Sequence, residues 1–502
     1  MPNSLDAAAL GQAQHQTIDT FNIAPGYSQV LGSNTLLTAN AFLRQDHLVY
    51  SPSPDPFADQ PGTVSQDRTL RNIGIKADVA YTRGGHNFKL GGSISATRLQ
   101  EHFTLGFTDP SFNDPASGDF NPNLAPFDLT RGGSPFVYDQ AATIKQQAAY
   151  VQDEMKLGAA TIKAGLRLDH YDGLTSATEF QPRLGLSYAL STGTLLRASY
   201  GRTMETPYNE NLLLSSGVGA EVLTGTATPP APGTRDQVEI GAQQSLGRWF
   251  VVDVGYFDKH TDNAYDFNVL FNTPIFFPVA WDHSHIDGFT GRIDFLEHHG
   301  FRAFAVLGHT NAIYFPPGVG GVLLETPCEQ PSCSFRIDHD QKFNTTTNVE
   351  YVLNGSIGAW AAVSWRYDSG LVSSAIGDVT DLLALTPAQQ AAAGMSCGGV
   401  SATPVAGFTS CAPDAIAASR LVVPAAGTGD PLTNPTRVAP RHLFDLGLGV
   451  GNLLRTKHHK LKVRLSVINL TNQEALYNFL STFSGTHFVT PRSYQLQVGW
   501  TF

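Results

Sequence analysis

The chain ends in SYQLQVGWTF, residues 493–502. Successive side chains of an extended strand point to opposite faces. This puts Tyr494, Leu496, Val498, Trp500 and Phe502 on one side and Ser493, Gln495, Gln497, Gly499 and Thr501 on the other. Chain ends ordinarily fray, so a terminal strand this regular implies a neighbour that holds it. The same period of two recurs along the whole sequence, and helical periodicity is nearly absent. In HNFKLGGSISAT, residues 86–97, Phe88, Leu90, Ile94 and Ala96 oppose Lys89, Ser93, Ser95 and Thr97. Ile162, Ala164, Leu166 and Leu168 oppose Lys163, Arg167 and Asp169, and Leu461, Val463, Leu465 and Val467 oppose Lys462, Arg464 and Ser466.

Counting such segments predicts an all-β chain of about seventeen strands, many longer than the usual five or six residues of a soluble sheet and long enough to cross a bilayer at a tilt. One apolar and one polar face suit a membrane barrel, with lipid outside and water inside, and equally suit a soluble sandwich. The connections separate the two. GSN joins the strands predicted at 19–32 and 35–50, GG joins 69–83 to 86–107, GAA joins 143–157 to 160–172, and STG joins 180–190 to 194–204. Between such hairpins run long segments, 51–68, 108–142, 205–233, 316–338 and 372–438. Short turns at one end and long loops at the other mark a transmembrane antiparallel β-barrel, here over residues 19–502, with turns in the periplasm and loops outside. Residues 1–18 read as non-native or as a loop start.

Bacterial barrels usually begin and end in the periplasm with an even strand count. Here the first and last predicted strands both descend from the outside, so an odd number of strands is expected before Met1. The chain then reads as the C-terminal part of a longer protein. The start, MPNSLDAAALGQAQHQ, has no apolar core of the signal-peptide kind, and no stretch approaches a membrane-spanning helix.

Only 15% of residues are charged and the formal net charge is -11, which argues against a nucleic-acid surface. Cys328 and Cys333 lie in TPCEQPSC, and Cys397 and Cys411 in SCGGVSATPVAGFTSC. Both settings are rich in Pro, Gly and Ser, and neither pair has zinc-site spacing, so each pair reads as a loop closed by a disulfide in an oxidising compartment. The larger loop would gain on the order of 3 kcal/mol of local order.

His283 and His285 in WDHSHIDG stand two apart on a strand; both could face the lumen and share a metal, but with no third ligand beside them a polar lumen face is preferred. Asp338, His339 and Asp340 fall where a long loop re-enters the barrel, a cation site or, preferably, a solvated strand start. His298, His299, His458 and His459 fall in turns and read as hydrated. GVGG at 318–321 does not lead a strand into a helix, and GxSxG does not occur, so neither a phosphate cradle nor an enzyme is indicated. Trp249, Tyr256, Trp281, Trp360, Trp365, Tyr477, Trp500 and Phe502 fall near strand ends or on apolar faces, as interfacial girdles require. Arg183, Arg197, Arg464 and Lys462 are expected in the lumen, as selectivity groups or as partners of acids such as Asp169 and Asp253.

AAYVQDEMKL, AGLRLDHYDGL, FQPRLGLSYAL and LRASYGRTMETPYNENLLLSS, in that order, and the closing NLTNQEALYNFLSTFSGTHFVTPRSYQLQVGWTF resemble the barrel of TonB-dependent outer-membrane receptors. TFNIAPGYS, SPSPDPFADQ, FDLTRGG, TDNAYDF and FRIDHDQ resemble the acidobacterial type with a carboxypeptidase-regulatory-like N-terminal domain. The resemblance runs from about Thr20 to Phe502. It implies a barrel of about 22 strands closed by an N-terminal plug, which admits a scarce nutrient when the TonB complex pulls on the plug. Plug, TonB box and some five of those strands are absent from this sequence. By the same resemblance, Tyr494, Leu496, Val498, Trp500 and Phe502 form the signal read by the outer-membrane assembly machinery. The expected partners are therefore lipid, that machinery, the TonB complex and a nutrient such as a siderophore, cobalamin or saccharide, with no cofactor and no nucleic acid. The alternative reading is a passive pore or surface-binding barrel, with an outer-membrane hydrolase ranked below both.

Overall fold

Two-residue turns set the hairpins. Gly84 and Gly158 open their turns at φ 58° and 61°, in the left-handed region that glycine enters without a Cβ clash. His299 and Gly300 both have positive φ, the pairing whose twist suits a tight hairpin. From these turns long strands rise in both directions.

A computed structural model describes residues 10–117, 120–216, 221–223, 228–271, 273–321, 333–353, 355, 357–456, 458–481 and 485–502. Among the described residues, seventeen strands form one antiparallel meander. The first, β1, runs in two pieces, His15–Ile23 and Gly26–Leu31, both paired with β2 (Thr35–Ser51). Then follow β3 (Gly62–Arg83), β4 (His86–Phe107), β5 (Phe136–Leu157), β6 (Ala160–Asp172), β7 (Ser176–Ala189) and β8 (Thr194–Glu205). The middle is β9 (Gly233–Leu246), β10 (Phe250–Val269), β11 (Phe276–His298), β12 (Phe301–Gly320), β13 (Gln341–Val352) and β14 (Ala359–Asp368). The last three are β15 (Arg441–Val450), β16 (Lys460–Ile468) and β17 (Ser493–Thr501). Each strand pairs with its sequence neighbour, and no pairing joins β17 to β1 among the described residues. Among the described residues no helix is long and apolar enough to cross a membrane.

The two faces differ as the alternation requires. Ile75 lies directly across from Ile94, and Tyr256 from Phe289, on an outer face of exposed apolar side chains. The inner face carries charge pairs: Lys89 with Asp78 (3.4 Å), Lys163 with Glu154 (3.1 Å), Arg167 with Asp169 (2.6 Å), Arg292 with Asp294 (2.6 Å) and Arg302 with Glu350 (2.8 Å). Apolar outside and charged inside is the arrangement of a strand wall between lipid and water. At the short-turn end, Phe250, Phe295 and Phe301 follow ring to ring at 5.1 and 5.3 Å, and Trp249 stands 3.7 Å from His298. This is an interfacial aromatic girdle.

The strands reach further at the other end than the alternation suggests. β1 begins at His15 and not at residue 19, β3 at Gly62 and not 69, and β5 at Phe136 and not 143. The cause is an exchange of faces along the strand. On β4 the outward positions change from Ile94 and Ala96 to Arg98, Gln100 and His102, while the inward ones become Leu99, Phe103, Leu105 and Phe107, all buried. Past the lipid belt the apolar face is the inner one, because loops fold in to cover it.

The segment expected as a plain loop over 372–438 is folded. It holds a helix, Pro387–Ala393, and a small sheet of Met395–Cys397, Val400–Ser401 and Ile416–Ala418. Its core of Ile376, Leu382, Met395, Leu421 and Val438 continues into Leu476 and Phe479 of the segment after β16. The signal was in the sequence: Thr386 and Gln389 exchange bonds as a capping box, with Pro387 at the first helical position and Gly394 beyond the end at φ 68°.

Two carboxylates pin this subdomain's turns. Asp378 accepts from Thr380 (Oγ1 2.6 Å) and from the Gly427 N–H, and Asp430 accepts from Thr433 and Leu432. These bonds hold both carboxyls below the usual carboxylate range. A depressed folded pKa gives stability that is present above the unfolded value of about 4 and is lost as pH falls through the folded one. Limited proteolysis of the 369–440 segment should therefore stay slow from neutral pH to about 5 and accelerate below about 4. A flat rate across that range would contradict the assignment.

Candidate functional site at the barrel mouth

Three segments fold inward over the upper lumen face of β2 to β6: the β4–β5 connection, residues 206–216 after β8, and the tip of the β10–β11 hairpin. Leu124, Leu212, Leu214, Ile275 and Phe277 from these segments meet Tyr50, Leu99, Phe103, Phe136 and Ile144 from the wall in one buried cluster. Phe103 and Phe277 meet edge to face at 6.2 Å, and Phe107 stacks on Phe112 at 5.2 Å. Burial of this apolar surface holds the loops inside the mouth.

Polar latches fix their position. Glu101, 2% exposed, accepts the N–H groups of Leu213 (3.2 Å) and Leu214 (2.9 Å). Asn211, held at φ 54°, donates to the Phe276 carbonyl (2.7 Å) and accepts from Gln66 and from Arg68 (3.3 Å). Removing the Glu101 carboxylate strands two buried donors, each worth about 1–3 kcal/mol. Glu101→Ala should free residues 206–216 to faster proteolysis and amide exchange while the β4–β5 wall stays protected. Unchanged exchange at Leu213 and Leu214 would refute the latch.

Beside this cluster lies a cavity of about 540 Å³. Tyr50, Gln66 and Arg68 line it from the strand wall, and Tyr208, Phe267 and Phe276 from the inward segments. Tyr208 stacks on Phe267 at 4.2 Å, and Phe267 meets Phe276 edge to face at 5.9 Å.

The residues singled out in the sequence fall in several places. His283 and His285 share the outer face of β11 with Phe289 and do not face the lumen; they sit above the apolar belt, His285 on Asp258 (2.8 Å) and His283 on Asp282 (2.8 Å) with its ring stacked on Phe315. The unbroken register from residue 283 to 289 fixes this side, which composition cannot report. Among the described residues no three His, Cys, Asp or Glu side chains could hold a metal. The 338–340 stretch is not a solvated strand start. Asp340, 1% exposed, accepts from Arg336 (2.9 Å), Arg437 and the Ala312 N–H (3.0 Å). Burial would push the Asp338 carboxyl up, but bonds from His339 and Ser481 (2.7 Å) outweigh it and hold it low.

Arg197 pairs with Asp253 (2.5 Å), whereas Asp169 pairs with Arg167 on its own strand and not with Arg183. Arg464 bonds Ser466 (3.1 Å) and lies over Trp360, so Trp360 faces the lumen and is no girdle residue; Gly447 and Gly449 on β15 leave room for its ring. Tyr477 lies in the segment after β16, against the Arg441 guanidinium. Of the turn histidines, His298 lies with its ring tilted against Trp249 and His299, and His459 lies 6.1 Å from Trp500. Cys397 and Cys411 are bonded across a separation of 14 residues. Cys328, and with it the expected bridge to Cys333, lies outside the described residues. Tyr494, Leu496, Val498, Trp500 and Phe502 are 55–93% exposed.

Sequence reasoning missed Tyr50, Arg68, Glu101, Tyr208 and Arg437. For Tyr50, Arg68 and Glu101 the available signal was a charged or aromatic residue on the inner face of a strand end beyond the lipid belt; Tyr208 and Arg437 lie outside the strand wall, where no period reports a face.

Residues 3–470 match the family model described as TonB dependent receptor-like, beta-barrel. No curated protein matches the chain significantly. Among solved structures, the unliganded ferric citrate transporter FecA superposes with a TM-score of 0.60 at 14% identity, over 99% of this chain and 65% of that one. The siderophore receptor PiuA from Acinetobacter baumannii gives 0.59 at 12% identity, over 99% of this chain and 69% of that one. The FrpB iron transporter from Neisseria meningitidis gives 0.59 at 15% identity, over 97% of this chain and 63% of that one. The chain thus spans about two thirds of the length of these proteins, and the likeness is one of fold.

Proposed function

Because the chain belongs to the TonB-dependent receptor β-barrel family, whose members are outer-membrane receptors and transporters and not enzymes, we propose that it is the barrel of a receptor for energised uptake of a scarce nutrient. The observation that carries this reading is the mouth: inward segments are latched onto the upper lumen wall through Glu101 and Asn211 and leave one aromatic-lined cavity among them. In this reading the nutrient binds among those segments and descends along the charged lumen wall, gated by a plug that the TonB complex pulls. The exposed apolar and aromatic side chains of β17 suit recognition by the assembly machinery. The mechanism is mechanical and breaks no covalent bond. A siderophore, cobalamin or saccharide is the expected class of cargo.

The second reading, a passive pore or surface-binding barrel, draws on the lumen itself, which is lined by ion pairs and open to water. Growth on limiting nutrient decides between them. The receptor reading expects uptake that depends on this chain and stops when the TonB complex is deleted or the proton gradient is collapsed. Uptake that survives both treatments supports the passive barrel and overturns the energised one.

A further inference from the structure

We propose that the mouth cavity binds a small ligand built from a planar aromatic body and a carboxylate. The inference rests on the receptor reading, since it assigns chemistry to the cavity such a receptor would use. The volume of about 540 Å³ lies within the range of small-molecule sites.

One cation at the cavity wall lacks a countercharge. Arg68 is half-buried, and its guanidinium touches only the Asn211 amide oxygen, with no carboxylate at ion-pair distance among the described residues. The acids in its neighbourhood are Asp46, Glu101 and Glu210. Asp46 is bound by Arg44 (2.7 Å) and Thr20 (2.8 Å), and Glu101 by the Leu213 and Leu214 amides. Glu210 stands exposed at the cavity rim. A guanidinium at the cavity wall with no carboxylate of its own is a partner for one carboxylate.

The rest of the wall is flat and apolar. Tyr208 on Phe267, with Phe276 edge-on, presents ring faces and edges that favour another ring at offset or perpendicular contact. Tyr208 is 41% exposed, so the aromatic wall is reachable from the mouth.

The full chain, purified in detergent, is titrated calorimetrically with phenylacetate, 2-phenylethanol and phenethylamine, which share one ring and differ in charge. Phenylacetate is expected to bind about tenfold more tightly than the alcohol, the scale of one charge-assisted bond. Arg68→Gln should abolish that preference, and Glu210→Gln should strengthen phenylacetate binding by removing a competing charge. Each variant is first checked for an unchanged heat-induced mobility shift. Equal affinity for acid and alcohol, preference for the amine, no binding of any of the three, or a preference that survives Arg68→Gln each overturns the proposal. Binding is read without an energy source, so a failed uptake experiment speaks against energised transport and not against this site.

Discussion

Asp340→Ala should be among the most damaging single substitutions at the long-loop end of the protein. It would leave Arg437, whose side chain is 7% exposed, buried without a countercharge, would strand the Ala312 N–H, and would leave Arg336 only the Leu432 carbonyl and the Asn311 amide oxygen. Breaking a buried pair from one side typically costs about 3–5 kcal/mol. Arg437 also donates to the Asp340 carbonyl (3.1 Å) and the Gly370 carbonyl (3.4 Å), so it ties the start of β13 to both ends of the 369–440 subdomain. The expected result is early proteolytic release of that subdomain, with the barrel transition little changed. Asp340→Ala combined with Arg437→Met removes the orphaned charge and should recover much of the loss. An unchanged cleavage rate in the single variant would show that the cluster does not hold the subdomain.

Ile94→Arg should cost about 2–4 kcal/mol, the measured range for a cation on the lipid face near mid-bilayer. Ile94 is 61% exposed on the outer face, directly opposite Ile75, with Leu90 and Ala96 beside it on the same face. Ser93→Glu, one residue away on the lumen face and opposite Lys76, should fall within about 1 kcal/mol of the parent. Urea unfolding in vesicles reads both. Equal effects for the two substitutions would mean that the faces are misassigned, and with them the whole wall.

Strand number and sidedness were legible early because the period of a strand is two and a bilayer rewards one face uniformly. Phe88, Leu90, Ile94 and Ala96 could be sorted from Lys89, Ser93 and Thr97 without knowing any partner. The turns were legible for the same local reason, since a tight hairpin needs glycine where φ is positive. His283 and His285 show the limit. Their spacing put them on one face, but which face follows only from register carried to Phe289. Trp360 was misplaced in the same way, because room for an inward indole is made by Gly447 and Gly449 on the next strand.

The amino-acid sequence by itself determined the strands, their two faces, the sorting of short turns from long loops and the family, all set by local periodicity against a fixed membrane thickness. Tertiary structure alone decided what the loops do. Glu101 meets Leu213 and Leu214, Asp340 meets Arg437, and Tyr50 and Arg68 meet Tyr208 and Phe267, across separations of about a hundred residues or more. No period connects such partners. They are brought together where the strands outrun the lipid, and the apolar face must then turn inward to be buried.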